Sequence, residues 1–330
     1  METRQLGKSD LHLPVVTFGA WVTGGWQWGG SDDEQSIRAI QRGIDLGITA
    51  IDTAAIYGMG HSERVVAKAI AGRRDQVIVA TKCGLRWDRE EGEFAMDSYM
   101  PDGTPCNIYR NLRKDSIKYE CEQSLKRLGI DTIDLYQCHW PDPTTPIEES
   151  MEALRDLQQE GKIRAIGVSN FEVEHLREAQ KTVRLASNQP RYNYLERKIE
   201  QEVLPYCREN AIGILAYSPM LHGLLTGKVT MDRTFPESDF RSRASWFQPE
   251  NRKKVLDMLE KIRPIAEGHG ATLSQLAINW VISQPGITTA LVGARDEQQV
   301  EENAKAASFR LSAEEEKQIR GLAEGLGSPE

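Results

Sequence analysis

The sequence predicts an α/β protein in which eight parallel strands, each followed by helix, close into a barrel. Three observations carry this. Apolar strand-like runs alternate almost throughout with segments of helical periodicity, which calls for a parallel sheet. Landmarks at the strand ends, Asp52, Lys82, His139, Ser169, Gln189, Tyr217 and Gly293, lie 30, 57, 30, 20, 28 and 76 residues apart, and most of these intervals fit one strand-helix unit. The two long intervals imply insertions, roughly 84–112 and 221–250, and both follow a strand. Both would therefore lie at the C-terminal face of a (β/α)8 barrel of the TIM type, the face where such enzymes keep their active sites.

The elements can be justified in order. Residues 3–14, TRQLGKSDLHLP, read as a short hairpin around Gly7-Lys8-Ser9-Asp10 that could plug the opposite end of the barrel. VVTFGA (15–20) is a buried-strand run ahead of a glycine-rich loop. Ser31 with Glu34 makes a capping-box signature for a helix carrying Ile37, Ile40 and Ile44 on one face. Gly47 stops it and ITAIDTA (48–54) follows. Ser62 opens ERVVAKAIA, ahead of VIVATK (77–82). Asp115 starts a helix with Ile117, Cys121 and Leu125, closed by Gly129, and IDLYQCHW (133–140) is the next strand. Met151, Leu154 and Leu157 mark a helix over 147–160 that ends at Gly161 before IRAIGVSN (163–170). Further helices lead to LASNQPRYN (185–193) and IGILAYSP (212–219), and one around 272–283 leads to TALVGA (289–294). No linker or low-complexity tract interrupts the pattern, so residues 1–330 are expected to form one domain.

Composition narrows the function. A formal net charge of −8 argues against a nucleic-acid or membrane-surface role, because no polyanion is attracted to such a molecule as a whole. Five scattered cysteines without a CxxC suit a reducing compartment rather than a disulfide framework or a structural zinc site. No apolar stretch approaches the ~18 residues of a spanning helix. METRQLGKSD lacks the apolar core of a signal peptide, so a cytoplasmic location is expected.

Chemistry concentrates where consecutive strands should empty into loops. Asp52, Tyr57, Lys82 and His139 supply an acid, a phenol, an ammonium and an imidazole there. Singly, Asp52 reads as a helix cap, Lys82 as a loop lysine and Tyr57 as a packed aromatic. Together, Asp52 and Lys82 at the ends of adjacent strands are more economically an ion pair. A lysine ammonium beside a phenol stabilises the phenolate and is expected to lower its pKa, with the aspartate keeping the lysine charged. Such a phenol suits protonation of an alkoxide forming from a carbonyl, and His139 would give a second hydrogen bond to the same oxygen. Two rival readings are weaker. Tyr57-Gly58-Met59-Gly60 lies between strand and helix as a dinucleotide loop would, but Glu63 occupies the third glycine position. A metal at His139 would need Asp134, Asp142, His61 or His222. Asp134 faces the other side of its strand, and no HxH or HExxH spacing exists, so no metal is expected.

Taken in order, the motifs resemble an aldo-keto reductase: GAW (19–21), IDTAAIYGMGHSE (51–63), ATK (80–82), DLYQCHWPDP (134–143), GKIRAIGVSNF (161–171), NQPRYN (188–193), AYSPMLHGLLTGK (216–228) and VGARDEQQVEEN (292–303). Within that family the chain is most similar to bacterial general stress protein and inositol-utilisation-type reductases, with kinship to potassium-channel β-subunits. The resemblance implies NADPH lying across the C-terminal mouth of the barrel and reduction of an aldehyde or ketone to an alcohol. Tyr57 would be the proton donor, completed by Asp52, Lys82 and His139, with Trp21, Tyr57 and His139 facing the substrate. Ala20, Trp21 and Asp52 would border the cofactor. Ser169, Asn170 and Gln189 would hold the nicotinamide carboxamide, and Tyr217 would stack on its ring. Ser218, Pro219, Met220, Leu221, Gly223, Lys228 and Arg241 would lie over the pyrophosphate. Gly293, Arg295, Gln299, Glu302 and Asn303 match the adenosine end. Many members read Ile-Pro-Lys-Ser where this chain reads Leu291-Val292-Gly293-Ala294, so the lysine expected at the 2′-phosphate is absent and Arg295 is the candidate replacement. Asp296 and Gln299 also form a helix-start signature there. Trp21, Trp26, Trp28 and Trp87 lie in post-strand loops and suit either an apolar or sugar-stacking pocket or packing anchors. Two other functional classes are open to such a chain: a nucleotide-sensing regulatory module with incidental turnover, and a metal-dependent barrel hydrolase or aldolase. The expected partner is a small-molecule carbonyl compound. Sequence gives neither its identity nor the oligomeric state.

Overall fold

The computed structural model describes residues 1–329. Strands β1 (Thr3–Gln5) and β2 (His12–Pro14) pair antiparallel as the expected hairpin. Its Leu6, Leu11 and Leu13 are buried against Ala50, Ala80, Leu135, Ala165 and Leu215 from the barrel strands. Small alanines inside the barrel leave room for those leucines, and burying each contributes roughly 1.5–3 kcal/mol.

From there β3 (Val16–Gly19), α1 (Asp33–Asp45), β4 (Ala50–Asp52), α2 (His61–Ala69) and β5 (Ile78–Cys83) follow in turn. The first insertion is a sheet of its own, made of β6 (Leu85–Arg86), β7 (Glu93–Tyr99) and β8 (Pro105–Arg110), antiparallel and in the order β6-β8-β7. Gly92 (φ +100°) makes that sheet possible, since a Cβ there would sit 1.9 Å from the carbonyl oxygen of Arg110. The alternation resumes with α3 (Lys114–Leu128), β9 (Ile133–Cys138), α4 (Ile147–Gln159), β10 (Ile163–Ser169), α5 (Val173–Gln180), β11 (Ser187–Gln189), α6 (Val203–Glu209) and β12 (Gly213–Tyr217). A long strap of short 3-10 turns leads to α7 (Pro249–Gly268) and α8 (Leu273–Ser283), then β13 (Ile287–Val292), α9 (Glu297–Ala304) and α10 (Ala313–Glu324).

All eight expected runs are strands of one closed parallel barrel, ordered β3-β4-β5-β9-β10-β11-β12-β13 and sealed where Leu291 of β13 pairs with Thr17 of β3. The helices pack their apolar faces around it: Ile40 and Ile44 of α1, Met151, Leu154 and Leu157 of α4, and Leu276 and Trp280 of α8 share one core.

Local details depart from the sequence reading. Helix α1 is capped by Asp32, which accepts from the Gln35 amide (3.0 Å), one residue beyond the expected Ser31-Glu34 box. Ser62 is buried inside α2 and bonds the Ala20 carbonyl (2.8 Å), while Gly60 in left-handed conformation precedes the helix. Helix α3 begins at Lys114, one residue before Asp115. Helix α7 was not foreseen, although Val255, Met258, Leu259 and Ile262 give it a buried stripe, because Pro264 breaks its pattern. Helix α10, closed by a Ser312-Glu315 capping box, was missed as well.

Candidate active site

Parallel strands end together, so their last inward-pointing residues converge on one mouth. Asp52 ends β4, Lys82 lies near the end of β5, His139 follows β9, Ser169 ends β10, Gln189 ends β11 and Tyr217 ends β12. Tyr57 reaches the same place from the β4–α2 loop. Gly24 from the neighbouring loop packs so closely there that a Cβ would lie 2.8 Å from the Tyr57 carbonyl carbon.

The Lys82 ammonium is buried and uses all three of its protons. It donates to Asp52 Oδ2 (2.5 Å), to the Thr53 carbonyl (2.9 Å) and to the Tyr57 hydroxyl (3.4 Å). The other carboxylate oxygen, Asp52 Oδ1, accepts from Gln189 Nε2 (2.9 Å) and from Gln137 Nε2 (3.2 Å). Because Tyr57 accepts from Lys82, its own proton is left to point toward the cavity. The His139 ring meets Tyr57 edge-on, 5.8 Å between centroids. Burial, reinforced by the Lys82 charge, holds the His139 pKa well below the ordinary histidine value, so the ring is neutral and carries one N–H.

One expectation is reversed. Lys82 was expected to lower the Tyr57 pKa, but burial and then the Asp52 charge push the phenol well above its ordinary value. Desolvation likewise lowers Lys82, against the raising effect of Asp52. A buried ammonium already matched by a carboxylate has little net charge left to stabilise a phenolate. Tyr57 is therefore a neutral phenol that holds its proton tightly.

A cavity of about 600 Å³ runs from Tyr57 and His139 to Gln299, Glu302 and Asn303. Every residue that the resemblance assigned borders it except two. Lys82 lies behind Asp52 and Tyr57, and the Leu221 side chain turns into the core with Leu224 and Leu225. Near the tetrad, Asn170 accepts from the Tyr217 hydroxyl (2.9 Å) and donates to the His139 carbonyl (3.1 Å). At the far end Lys228 pairs with Glu302 (2.8 Å), and Asn303 donates to the Gly293 carbonyl (3.3 Å). Asp296 caps α9 by accepting from the Gln299 backbone amide (2.8 Å), and the Gln299 side-chain Oε1 accepts from the Arg295 backbone amide (3.1 Å). Arg295 itself donates to the Trp28 carbonyl (3.0 Å).

Sequence reasoning missed several residues. Gln137, two before His139 and so on the same strand face, was legible from the two-residue strand period. Arg191 lies 5.6 Å from the Tyr217 ring, and Arg233 reaches the cavity from the strap; neither position is marked by any local pattern. The strap also latches the mouth. Phe240 stacks on Trp21 (5.2 Å), its amide donates to the Gln27 carbonyl (3.3 Å), and Arg241, held by Asp239, lies 4.8 Å over Trp28. The first insertion contributes Leu85 and Met96 to the wall. Among the described residues, the indole nitrogens of Trp21 and Trp28 are buried without a hydrogen-bond partner.

The family model described as the aldo/keto reductase family matches residues 15–324. The chain belongs to this family. It is 40% identical to an NADH-specific methylglyoxal reductase of Escherichia coli (strain K12), over 99% of each chain. Among solved structures, a glycerol dehydrogenase from Gluconobacter oxydans has a TM-score of 0.88 at 39% identity, covering 99% of this chain and 97% of that one. An aldo/keto reductase from Klebsiella pneumoniae, solved in complex with NADP and acetate, has a TM-score of 0.73 at 31% identity, covering 97% and 95%. The closed eight-stranded barrel and its N-terminal hairpin are the architecture of these aldo/keto reductases.

Proposed function

We propose that this member of the family reduces small aldehydes or ketones to alcohols with NADPH, Tyr57 giving the proton. The observation that carries the reading is the line Asp52–Lys82–Tyr57, ending in a phenol whose proton faces the cavity beside a neutral imidazole. A nicotinamide nucleotide, when bound, supplies the hydride. The residues present fit such a group: an elongated cavity, amide and hydroxyl groups of Ser169, Asn170 and Gln189 at one end, and the guanidinium groups of Arg233 and Arg295 at the other.

The chain's own residues then perform the rest. His139 and Tyr57 both hydrogen-bond the carbonyl oxygen, polarising it and fixing its position. As negative charge develops on that oxygen, the Tyr57 proton moves to it. The Lys82 hydrogen bond holds the phenolate that is left, and Asp52 keeps Lys82 charged. Trp21, Leu85, Met96 and Trp140 make the substrate end mostly apolar and free of an unpaired cation, which favours neutral substrates. Among neutral carbonyl compounds, small α-dicarbonyl or hydroxycarbonyl compounds fit this reading. Relatives named for methylglyoxal and glycerol support that substrate class.

The test is cofactor oxidation with NADPH and NADH over aldehydes, ketones and sugars, for wild type and Tyr57→Phe. The variant should lose ~10²–10⁴-fold in turnover while binding the nucleotide as before. Turnover within about threefold of wild type would remove Tyr57 from the donor role, since general acid catalysis contributes far more than that.

A further inference from the structure

We propose that Gln137 is a positioning residue of the proton-donating unit, holding Asp52 in place when Gln189 turns to a bound carboxamide. This rests on the reading of Tyr57 as donor and Gln189 as a cofactor contact.

The argument is one of donors and acceptors. Asp52 is 2% exposed, so its carboxylate must be satisfied within the protein. One oxygen is committed to Lys82, and the other accepts from both amides. Gln189 Nε2 has two protons, and inside the barrel both are used: one on Asp52 Oδ1 (2.9 Å), the other on Gln137 Oε1 (3.3 Å). Gln189 can serve a ligand through Nε2 only by releasing one of these. Without a second donor, releasing Asp52 would strip its Oδ1 of the last amide bond; with one in place, Asp52 keeps a donor whichever proton Gln189 gives up. Gln137, fully buried on β9, is that second donor. It touches neither the cavity nor a reacting atom, so it acts only through Asp52 and Gln189.

The consequence reaches the proton donor by electrostatics. Asp52 raises the proton affinity of both Tyr57 and Lys82. Taking away the Gln137 donor leaves more negative potential on the carboxylate, so both groups hold their protons more tightly. The alkaline limb of the turnover–pH profile should then move upward.

Full-length Gln137→Met, Gln137→Glu, Gln189→Met and the Gln137→Met/Gln189→Met double variant test this. The readouts are turnover against pH with a simple aldehyde, and nucleotide titration by fluorescence. Gln137→Met should lower kcat about tenfold, the worth of one hydrogen bond to a charged group. KM should stay within about twofold, and the alkaline limb should rise by roughly half a unit or more. NADPH and NADH should bind at least as tightly as to wild type, because the proton that Gln189 gave to Gln137 is freed for the ligand; this effect should vanish in the Gln189→Met background while the limb shift persists. Gln137→Glu keeps the shape and guards against a folding failure. Its carboxyl group donates to Asp52 while protonated and repels it once ionised, so a new limb should appear on the neutral side of the profile. Profiles of both Gln137 variants that superimpose on wild type would reduce Gln137 to packing, whatever the rate. An active Tyr57→Phe protein in the same series would instead overturn the donor assignment, leaving the Gln137–Gln189 coupling to be judged by nucleotide binding alone.

Discussion

Lys82→Met removes the ammonium and keeps nearly the same volume, so its cost isolates the buried charge pair. Both partners are buried, with side-chain exposures of 0% and 3%, and the Lys82–Asp52 contact is 2.5 Å. Breaking a buried pair from one side costs about 3–5 kcal/mol, because the remaining charge is left uncompensated. Asp52 Oδ1 still has its two amide donors, which places the expected loss at the lower end, about 3 kcal/mol. Methionine opens no cavity, so no packing loss is added. Urea unfolding at neutral pH, followed by tryptophan fluorescence, gives the stability, and aldehyde reduction on the same samples gives the rate. Adding Asp52→Asn should restore most of the lost stability, since no buried charge then remains, but none of the activity. A Lys82→Met protein that unfolds at the wild-type midpoint, or turns over within about threefold of it, would refute the pair and its role in holding the phenolate.

Arg295→Ala should weaken NADPH binding by ~1.5–3 kcal/mol while leaving NADH nearly unaffected; fluorescence titration of both nucleotides would show equal losses if Arg295 only braces the Trp28 loop through its 3.0 Å bond. Glu120 is buried under Gly84, whose amide donates to it (3.0 Å), and burial pushes its carboxyl from 4.5 up to about 7. The folded state thus binds a proton that the unfolded chain releases, so this stabilisation is complete below pH 4.5 and is lost as pH rises through about 7. Glu120→Gln should remove that pH dependence and gain up to about 3 kcal/mol relative to wild type at pH 8, and parallel stability curves for the two proteins would contradict it. Gly24→Ala should push the Tyr57 segment, whose carbonyl oxygen would lie 2.8 Å from the new Cβ; a displacement of that order costs roughly 10²-fold in kcat, and an unchanged kcat would mean the loop yields elsewhere.

The barrel was legible because its strands are buried on both faces and read as short apolar runs, each ended by a helix with a 3.6-residue period. The charged members of the site were legible for the opposite reason. Asp52, Lys82 and His139 stand out at the ends of apolar strands, where a charge needs a partner. What the residues could not show was how deeply the group is buried, so neighbour charges alone gave the wrong direction for Tyr57. The β6–β8 sheet was hidden because its strands are partly polar, largely exposed and joined by pairings that no local period announces. Arg191, Arg233 and Phe240 acquire their places only when the loops fold over the mouth, and a single chain carries no local signal of that. Gln137 was within reach: it shares a strand face with His139, and a buried amide beside a carboxylate is a donor in search of an acceptor.

The latch between the strap and the Trp21 loop bears on timing. Phe240 on Trp21, its amide on Gln27 and Arg241 over Trp28 tie the strap to the loop after β3 across the cavity, and the tie reaches the end beside Tyr57, where Trp21 also stacks on that ring (6.1 Å) and Gln27 meets Met96. A dinucleotide lying along that cavity would be fenced in by the clasp. The nucleotide would then be first to arrive and last to depart. Release would depend on a clasp of aromatic rings, one of which, Trp21, also lies against Tyr57.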